Sequence, residues 1–407
     1  MRMKLIKRSL SDVVDRASRC FKCVMVSGPR QVGKTTLLKS MAEAGRRIVT
    51  LDDPVQRAFA QRDPELFLSS NPAPLLIDEV QYAPELFPYI KMRVDAAEAT
   101  GQYWLTGSQP FRLMKGISES LAGRVAILDL QGLAVAEEEG LANVPYLPAL
   151  TVRAGKEVWS RKEAAARIFR GSFPQLASVP DTDSTLFMSS YVATYLARDI
   201  RDLVKSSHEH EFMTFLTCLA ARTGQLLNAS NLAQDVGVSA PTISAWISIL
   251  ESSGIIVLLR PFRNNLTKRA TATPKVYFTD TGLAVYLCGL RSADELERSQ
   301  LFGHFFETFA IMSVLKSWWH AGLVCDASFY RDSGGHEIDL LIKDGAVMRP
   351  IEIKVTATPN VGEIESNIGA LAKTGVGLGV GAVVCLTPAP SPLTRTLVAE
   401  NISGVGI

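Results

Sequence analysis

A glycine-rich loop constrains the fold of this chain more than any other feature. An apolar run at 23–26 predicts a buried strand before the loop, and residues 36–42 predict a helix after it. The order of strand, loop and helix predicts an α/β domain in which backbone N–H groups and a helix N-terminus point at one spot. The loop fits the pattern G-x-x-x-x-G-K-[ST] at every position and reads Gly28-Pro29-Arg30-Gln31-Val32-Gly33-Lys34-Thr35-Thr36.

This phosphate loop (residues 28–36) has the chemistry to hold a nucleoside triphosphate. Its backbone N–H groups suit a chain of phosphates, so we expect the whole run from Gly28 to Thr36 to bind the nucleotide. Lys34 is placed to reach the β- and γ-phosphates, and Thr35 is placed to bind Mg²⁺. The sequence therefore predicts ATP and Mg²⁺ as cofactors.

Two further predicted strands end in polar side chains that would complete such a site. Asp78 follows the apolar run at 75–77 and is expected in the Mg²⁺ shell. Glu79 is expected to polarise the attacking water as a general base. Thr106 and Ser108 stand at the end of another strand, where an open parallel sheet lines its ligand crevice. They either sense the γ-phosphate or belong to a plain turn at the strand end.

The first 135 residues alternate strand and helix patterns, which predicts a doubly wound parallel sheet. The predicted strands span 21–28, 47–52, 74–79, 102–107 and 124–130. At 407 residues the chain is too long for one typical core. We therefore divide it into a P-loop domain, a helical lid or connector, a winged-helix-like domain and a second α/β domain. Their predicted bounds are 1–135, 136–207, 208–265 and 266–407.

Two arginines each allow two interpretations. Arg124 opens the fifth predicted strand and is either an arginine finger acting on the ATP of a neighbouring subunit or a local ion-pair partner. Arg198 lies on a helical pattern of the connector. It either contacts the nucleotide from the lid or is exposed on its helix.

The winged-helix prediction rests on a helix at 231–236, a turn at 237–238 and a second helix that Ser239 would cap. The second helix, up to Ser252, contains no Lys or Arg, so it is poorly suited to reading bases in a major groove. The segment 260–269 is basic instead. It either grips nucleic-acid phosphates without reading sequence or forms a solvated turn. Its polar residues are Arg260, Arg263, Asn264, Asn265, Lys268 and Arg269.

Near the C-terminus, a predicted β-hairpin carries a cluster of charged residues. Its strands and its turn are predicted at 337–342, 350–355 and 344–345. Glu352 and Lys354 share a face because positions i and i+2 of a strand point the same way, and the hairpin brings Asp339 beside them. The two carboxylates and the Ile353 carbonyl would hold Mg²⁺, which prefers oxygen ligands. Lys354 would position or activate a water for attack on a phosphodiester.

The N-terminal part resembles the AAA+ class of P-loop ATPases. More narrowly, the chain resembles a prokaryotic family that joins an AAA-type ATPase to a C-terminal domain of unknown function. The resemblance implies ATP binding and, because AAA+ proteins commonly work as rings, a homo-oligomer. Besides the phosphate loop, it rests on Asp78-Glu79-Val80-Gln81, Leu105-Thr106-Gly107-Ser108, Ser120-Leu121-Ala122-Gly123-Arg124 and Tyr277-Phe278-Thr279-Asp280-Thr281-Gly282-Leu283.

The C-terminal hairpin is similar to the PD-(D/E)XK group, the restriction-endonuclease-like nucleases. The motif would be formed by Asp339, Glu352, Ile353 and Lys354. The order of a helix, the motif strands, a helix at 358–372 and a strand at 381–387 agrees with that group. The resemblance implies that Glu307, on the first helix, is a further metal ligand and that the domain acts on nucleic acid, with DNA as the expected partner.

Net charge restricts the function only weakly. At +2 it creates no global field that would draw the chain to nucleic acid or to a membrane. The sequence lacks an apolar stretch of the ~18 residues that a spanning helix needs, and its basic start lacks the apolar core of a signal peptide. These patterns predict a cytoplasmic protein with no membrane partner.

Two function classes stay open. The first is an ATPase whose nucleotide state gates a nuclease-like domain, and the intact Asp339, Glu352 and Lys354 favour it. The second is a regulatory ATPase switch whose C-terminal domains bind DNA or protein without cleaving. The uncharged second helix of the winged-helix-like domain and the near-neutral net charge favour the second class.

Overall fold

The computed structural model of the chain describes residues 5–108, 120–150, 157–179, 181–196, 209–263, 269 and 272–406. Four residues discussed above lie outside these ranges, namely Arg198, Asn264, Asn265 and Lys268. The roles predicted for them stay predictions.

The N-terminal part is built on a five-stranded parallel sheet with the strand order β2-β3-β4-β1-β5. Each strand falls within a predicted range, so the prediction of a doubly wound parallel sheet is confirmed. The strands are β1 (Cys23–Ser27), β2 (Arg47–Thr50), β3 (Leu75–Asp78), β4 (Tyr103–Gly107) and β5 (Val125–Asp129).

Helices cover both faces of this sheet because β1 is apolar on both sides. Successive residues of a strand point to opposite faces, and β1 follows this rule. Val24 and Val26 pack with residues of α1 and α2, whereas Cys23 and Met25 pack with residues of α4 and α5. The helices of this part are α1 (Leu10–Cys20), α2 (Lys34–Met41), α3 (Pro54–Arg62), α4 (Pro64–Ser70) and α5 (Leu86–Ala96).

The middle of the chain is helical with one small antiparallel sheet. Ser239 caps α12 by accepting a hydrogen bond from the Thr242 N–H, as predicted. The helices are α6 (Val135–Glu138), α7 (Arg161–Arg170), α8 (Pro174–Ser178), α9 (Ser184–Tyr191), α10 (Glu209–Ala220), α11 (Ala229–Val236), α12 (Ala240–Ser252), α13 (Thr281–Leu287) and α14 (Ala293–Arg298). A π-helical turn at Val192–Leu196 follows α9.

The small sheet consists of β6 (Ile256–Leu259) and β7 (Lys275–Phe278). The two strands pair antiparallel, with Ile256 opposite Phe278 and Leu259 opposite Lys275. The partner of β6 therefore lies beyond the boundary that the sequence placed at 265. We call this pair of strands the ribbon.

The C-terminal part combines a long helix with a mixed sheet of seven strands. The sheet order is β13-β14-β12-β10-β9-β8, and β11 pairs with β10. β9 and β10 form the predicted hairpin, in which Asp344 lies opposite Val347. The elements are α15 (Phe302–Trp319), β8 (Ala327–Arg331), β9 (Glu337–Asp344), β10 (Val347–Ile353), α16 (Val361–Ala372), β11 (Gly377–Leu378), β12 (Gly381–Cys385), β13 (Ser391–Pro392) and β14 (Leu397–Asn401).

One hydrophobic core joins the middle and C-terminal parts. It includes Trp246 of α12, Tyr277 of the ribbon and Phe306 of α15, and it extends from Val135 to Val405. The ribbon is therefore packed between elements that the sequence assigned to different domains. No helix within the described ranges is long and apolar enough to cross a membrane.

A buried polar cluster connects this core to the phosphate loop. Arg8 donates to Glu137 Oε2 at 3.1 Å, to the Val32 carbonyl at 2.6 Å and to the Gln131 carbonyl at 2.7 Å. His320, which follows α15 and is fully buried, places Nδ1 3.2 Å from Glu137 Oε2. Burial lowers the pKa of His320 even though the Glu137 carboxylate acts in the opposite direction. His320 is therefore neutral in the folded chain.

We expect His320 to make the fold sensitive to acid. Its pKa is lower in the folded chain than its ordinary value of 6.5, so the unfolded chain takes up a proton first. Its contribution to stability is therefore present above that value and is lost as the pH falls below it. The loss is at most about 1.4 kcal/mol per pH unit. Urea unfolding of His320→Phe, measured from neutral pH to about pH 5, should show a flatter profile than the native chain.

The exposed His210 provides the control, because His210→Gln should leave the native profile unchanged. Identical pH profiles for His320→Phe and the native chain would show that His320 does not titrate in this way.

Candidate functional site

The phosphate loop adopts a backbone that depends on its first glycine. Gly28 has a φ of 139°, and a Cβ atom there would lie 2.0 Å from the carbonyl oxygen of Leu130, so only glycine fits. Gln31 has a φ of 62°, which is unusual for a residue with a side chain. Gly33, with a φ of 91°, starts α2. Strained backbone of this kind clusters at ligand sites.

Lys34 lies against the loop that precedes it. Its Nζ donates to the carbonyl oxygens of Gly28 at 3.0 Å and Pro29 at 2.7 Å. Burial lowers the pKa of Lys34 to about 8, against the opposing effect of the Glu79 carboxylate. Lys34 is also the first residue of α2, so its ammonium lies near the helix N-terminus, where phosphate oxygens are favoured.

Asp78, at the end of β3, accepts hydrogen bonds from several hydroxyl groups. Its Oδ1 accepts from Thr35 Oγ1 and from Thr106 Oγ1, each at 2.5 Å, and its Oδ2 accepts from Thr50 Oγ1 at 3.2 Å. Thr35 and Asp78 thus meet as two hard oxygen donors, which is the ligand type that Mg²⁺ prefers. These two residues fit a Mg²⁺ site, and their role as its ligands stays a prediction.

Glu79 is held in one orientation by its neighbours. Its φ of 56° turns it out of line with β3, and its backbone N–H donates to Thr106 Oγ1 at 3.0 Å. The carboxylate accepts from Ser108 Oγ at 3.0 Å and from the Gln81 amide. Thr106 and Ser108 therefore contact the two acidic residues of the site, and their γ-phosphate role stays a prediction.

A cavity of about 740 Å³ opens above the phosphate loop. This volume lies within the usual range of small-molecule and cofactor sites. Gly28, Pro29 and Val32 are buried beneath it. The cavity walls also include residues of the N-terminal segment and of α8. Among the predicted binding residues, it is lined by Arg30, Gln31, Gly33, Lys34, Thr35, Thr36 and Glu79.

Arg124 is paired within the chain. Its guanidinium contacts both carboxylate oxygens of Asp95 on α5, with Nε 2.5 Å from Oδ1 and one terminal nitrogen 3.1 Å from Oδ2. It also donates to the carbonyl of Ala122 at 3.0 Å. The local ion pair that was one of the two interpretations of Arg124 is thus formed. The other interpretation, an arginine finger, stays a prediction.

The C-terminal hairpin brings its charged residues together. Lys354 Nζ lies 3.1 Å from Glu352 Oε2, and the Asn367 amide donates to Glu352 Oε1 at 3.2 Å. Asp339 Oδ2 accepts from the Ile353 N–H at 2.8 Å. The predicted side-by-side placement of Asp339, Glu352 and Lys354 is therefore observed.

A lysine of the ribbon also enters this cluster. Lys275 Nζ lies 2.7 Å from Glu337 Oε1, 3.2 Å from Glu307 Oε1 and 4.0 Å from Asp339 Oδ1. The Tyr277 hydroxyl donates to the same oxygen of Glu307 at 2.7 Å. Glu307 on α15 is thus beside the cluster, with Oε1 facing protein donors, and its role as a metal ligand stays a prediction.

The second predicted Mg²⁺ site is not assembled in this arrangement. Within the described ranges, no group of three or more His, Cys, Asp or Glu side chains could hold a metal ion. One carboxylate oxygen of each expected ligand, Glu307, Asp339 and Glu352, accepts a hydrogen bond from a protein donor. The ammonium of Lys275 supplies the positive charge instead.

Glu307 and Glu352 of this cluster are difficult to ionise. Burial, and then the nearby Asp339 carboxylate, raises the pKa of Glu307 to about 7 and that of Glu352 to about 8. Burial alone would lower the pKa of Lys275, but the Glu307, Asp339 and Glu337 carboxylates raise it above its ordinary value. The lysine is therefore held in its charged form.

Three protein families match successive parts of the chain. An AAA domain family matches residues 21–138. A domain of unknown function (DUF8612) matches residues 161–294, and another (DUF4143) matches residues 302–402. The AAA match, the parallel sheet and the phosphate loop together support an AAA-type P-loop ATPase domain. The resemblance to AAA-type ATPases is confirmed at this level, and the resemblance to nucleases stays a prediction.

Two curated relatives match most of the chain. Two uncharacterized proteins, Mb2031c of Mycobacterium bovis and Rv2008c of Mycobacterium tuberculosis, are each 29% identical to the chain over 362 residues. Each alignment covers 88% of this chain and 76% of the relative.

Solved structures overlap this chain only loosely. The RuvB Holliday junction branch migration motor of Thermotoga maritima is 18% identical, covers 62% of this chain and 89% of its own, and has a TM-score of 0.27. DnaA of Aquifex aeolicus bound to AMPPCP is 13% identical, covers 60% and 85%, and has a TM-score of 0.28. TM-scores this low support no inference about function.

Sequence reasoning missed several residues that shape the two sites. Gln81 stands in the quoted Asp-Glu-Val-Gln run, yet no role was predicted for it. Lys275 is a lysine at the start of an apolar strand, and such a position is a signal for a buried charge with a partner. No sequence pattern around Arg8 indicated a role for it, because its contacts with the phosphate loop and α6 form only in the folded chain.

We predict that Gly28→Ala disrupts nucleotide binding, because the added Cβ would collide with the Leu130 carbonyl. Affinity for a fluorescent ADP analogue should fall by roughly fivefold to a hundredfold, the effect of a strain of about 1 to 3 kcal/mol. Gly45→Ala is the matched control, since Gly45 is exposed and a Cβ there meets nothing within 4 Å. Equal affinities for both variants would contradict the role given to Gly28.

Proposed function

We propose that this chain is a Mg²⁺-dependent ATPase whose nucleotide state controls a C-terminal domain that acts on nucleic acid, with DNA as the expected partner. The observation that carries the ATPase part is the meeting of Lys34, Thr35, Asp78 and Glu79 at one end of the parallel sheet. These four side chains supply a phosphate contact, two metal ligands and a base.

The phosphate loop and the N-terminus of α2 would bind the β- and γ-phosphates through backbone N–H groups. Lys34 would exchange its two loop carbonyls for phosphate oxygens. Thr35 and Asp78 would hold Mg²⁺. When bound, this ion neutralises charge on the β- and γ-phosphates.

Glu79 would act as the general base. Its carboxylate takes the proton from the water that attacks the γ-phosphorus, while Ser108 and Gln81 fix its orientation through their hydrogen bonds. Orientation matters because an in-line attack tolerates little misplacement of the water.

The experiment that tests this function replaces Glu79 by Gln. Glu79→Gln should bind ATP as the native chain does, because the phosphate contacts are unchanged. Hydrolysis should fall by roughly a hundredfold or more, since an amide cannot accept the proton. Phosphate release and binding of a fluorescent ATP analogue measure the two effects. Glu85→Gln, at an exposed position six residues further on, is the control; hydrolysis at the native rate by Glu79→Gln would exclude Glu79 as the base.

Two forms of the C-terminal activity follow from different observations. The placement of Asp339, Glu352 and Lys354 on one hairpin supports a nuclease-like domain that the nucleotide state gates. The ammonium of Lys275 beside Glu307 and Asp339 supports the second form, a regulatory switch whose C-terminal domains bind DNA or protein without cleaving.

The proposed contact with DNA is the segment between the two strands of the ribbon. The order of α11, α12 and the ribbon supports a winged-helix-like unit with this segment as its wing. Arg260 and Arg263 are exposed, and Arg269 forms an ion pair with Asp326 at 3.0 Å. These arginines would contact DNA phosphates without recognising the base sequence.

We place the chain in the cytoplasm as a homo-oligomer. The proposal of an oligomer rests on the AAA+ resemblance, in which a neighbouring copy can supply an arginine to the γ-phosphate. Arg124 would take that role only by leaving Asp95, so the two interpretations of Arg124 exclude each other in one state of the chain.

Cleavage assays distinguish the two forms of C-terminal activity. If the nucleotide state gates a nuclease, the native chain should cut DNA with Mg²⁺ or Mn²⁺ only when ATP is present. Glu352→Gln should abolish cutting and leave ATP hydrolysis unchanged. Glu365→Gln, an exposed position on α16, should cut like the native chain. DNA binding without cleavage under every condition would leave the regulatory switch as the function.

A further inference from the structure

A second cation of the phosphate loop lies beside Lys34. Arg30 is half-buried and lines the nucleotide cavity together with Lys34 and Glu79. Burial, and to a smaller extent the nearby Arg30 guanidinium, lowers the pKa of Lys34 to about 8 against the effect of the Glu79 carboxylate. Two cations of one loop therefore border the space in which ATP is proposed to bind.

The guanidinium of Arg30 contacts the segment that carries the proposed base. One of its terminal nitrogens donates to Tyr82 Oη at 3.4 Å. Tyr82 is the last residue of a short 3₁₀ turn that directly follows Glu79. The γ-phosphate has to lie between the ammonium of Lys34 and the water that Glu79 activates. The contact with Tyr82 places the guanidinium on the same side of the loop as that base.

The tyrosine that Arg30 contacts is itself held in place by two residues of α3. The guanidinium carbon of Arg57 lies 3.9 Å from the centroid of the Tyr82 ring. Gln61 Nε2 donates to the Tyr82 carbonyl at 2.6 Å. An arginine that is already positioned loses less side-chain entropy when it binds an anion. Arg30 is therefore prepared to bind an anion before the nucleotide arrives.

We propose that Arg30 is a catalytic residue of ATP hydrolysis, whose guanidinium binds γ-phosphate oxygens of the ATP held by its own chain. This inference rests on the proposed function. In the reaction, the water oxygen bonds to the γ-phosphorus while the bond from phosphorus to the bridging oxygen breaks. Glu79 takes the proton of the water, and ADP keeps the electron pair. Charge is spread over the γ-phosphate oxygens in the transition state, and a planar guanidinium can bind two of them at once.

An arginine inside the loop removes the need for one from a neighbouring copy. Arg124 can then keep its ion pair with Asp95 during turnover. The arginine that acts on the γ-phosphate would be supplied with the phosphate loop itself, in every copy of the chain. Hydrolysis should therefore depend on Arg30 of the chain that holds the ATP.

The test compares ATP hydrolysis and nucleotide binding in full-length Arg30→Ala. Hydrolysis should fall by roughly a thousandfold, the lower end of the effect of an arginine at the γ-phosphate. Affinity for a fluorescent ADP analogue should stay within roughly threefold of the native value, because ADP lacks the γ-phosphate. Free guanidinium ion, added at millimolar concentration, should restore part of the lost hydrolysis. Hydrolysis at the native rate by Arg30→Ala would overturn the proposal.

Two control variants separate catalysis from a structural effect. Arg62→Ala removes an exposed arginine at the end of α3 and should hydrolyse ATP like the native chain. Tyr82→Phe removes the hydroxyl that Arg30 contacts but keeps the guanidinium, so hydrolysis should fall by less than roughly tenfold. A loss in Tyr82→Phe as large as that in Arg30→Ala would show that Arg30 acts only by holding Tyr82, which rejects the catalytic role.

A further variant covers the case in which Arg30→Ala does not bind ADP. Arg30→Lys keeps the positive charge but loses the planar fork, so it should still lose roughly tenfold or more in hydrolysis. Hydrolysis at the native rate by Arg30→Lys, in a preparation where Arg30→Ala has not folded, would reject the proposal.

Mixing two inactive variants tests whether Arg30 acts within its own chain. Arg30→Ala mixed with Lys34→Ala should hydrolyse ATP no faster than Arg30→Ala alone. Recovery of hydrolysis in the mixture would show that the arginine acts across subunits and would overturn the proposal.

Glu79→Gln in the same assays separates this inference from the proposed function. Hydrolysis that is lost in Glu79→Gln but kept in Arg30→Ala rejects the role of Arg30 alone. Hydrolysis that is lost in Arg30→Ala but kept in Glu79→Gln rejects only the base of the proposed mechanism. A native chain that does not hydrolyse ATP rejects the proposed function and, with it, the catalytic role of Arg30.

Discussion

The guanidinium of Arg8 fastens the phosphate loop to the segment after β5 and to α6. It donates to the Val32 carbonyl inside the loop, to Gln131 after β5 and to Glu137 on α6. Burial would raise the pKa of Glu137, but the guanidinium of Arg8 holds it well below its usual range. Removing one partner would leave a buried charge without compensation, which costs about 3 to 5 kcal/mol. The loop therefore depends on contacts made more than a hundred residues away.

The phosphate-loop site and the C-terminal acidic cluster each contain a buried lysine, but the groups around the two lysines differ in charge. Lys34 is buried against carbonyl oxygens, which carry only partial charge, so its pKa falls to about 8. An incoming phosphate chain supplies the missing negative charge. Lys275 is buried against carboxylates, so its charge is already matched by groups of the chain. The first lysine has room for an anionic ligand, whereas the second is already paired.

The sequence predicts those elements whose residues lie close together along the chain. The strand, loop and helix around Gly28 follow from one short motif, and Glu79 follows a predictable strand end. The hairpin of β9 and β10 is also local, because its turn is a short Asp-Gly pair. By contrast, the pairing of β6 with β7 crosses a long connection, and the position of Lys275 follows from that pairing. The sequence therefore placed Asp339 and Glu352 on one hairpin but did not indicate that Lys275 lies beside Asp339.

The ribbon gives the chain a short physical connection between its two sites. Pro29 in the phosphate loop touches one end through Gly254, and Lys275 at the other end touches the acidic cluster. A packed two-stranded element transmits displacement better than a loop would, because its paired backbone resists bending. Ligand binding can shift such an element only if it favours one of its positions over the other. On the proposed function, the phosphates of a nucleotide would meet this condition where they approach Pro29.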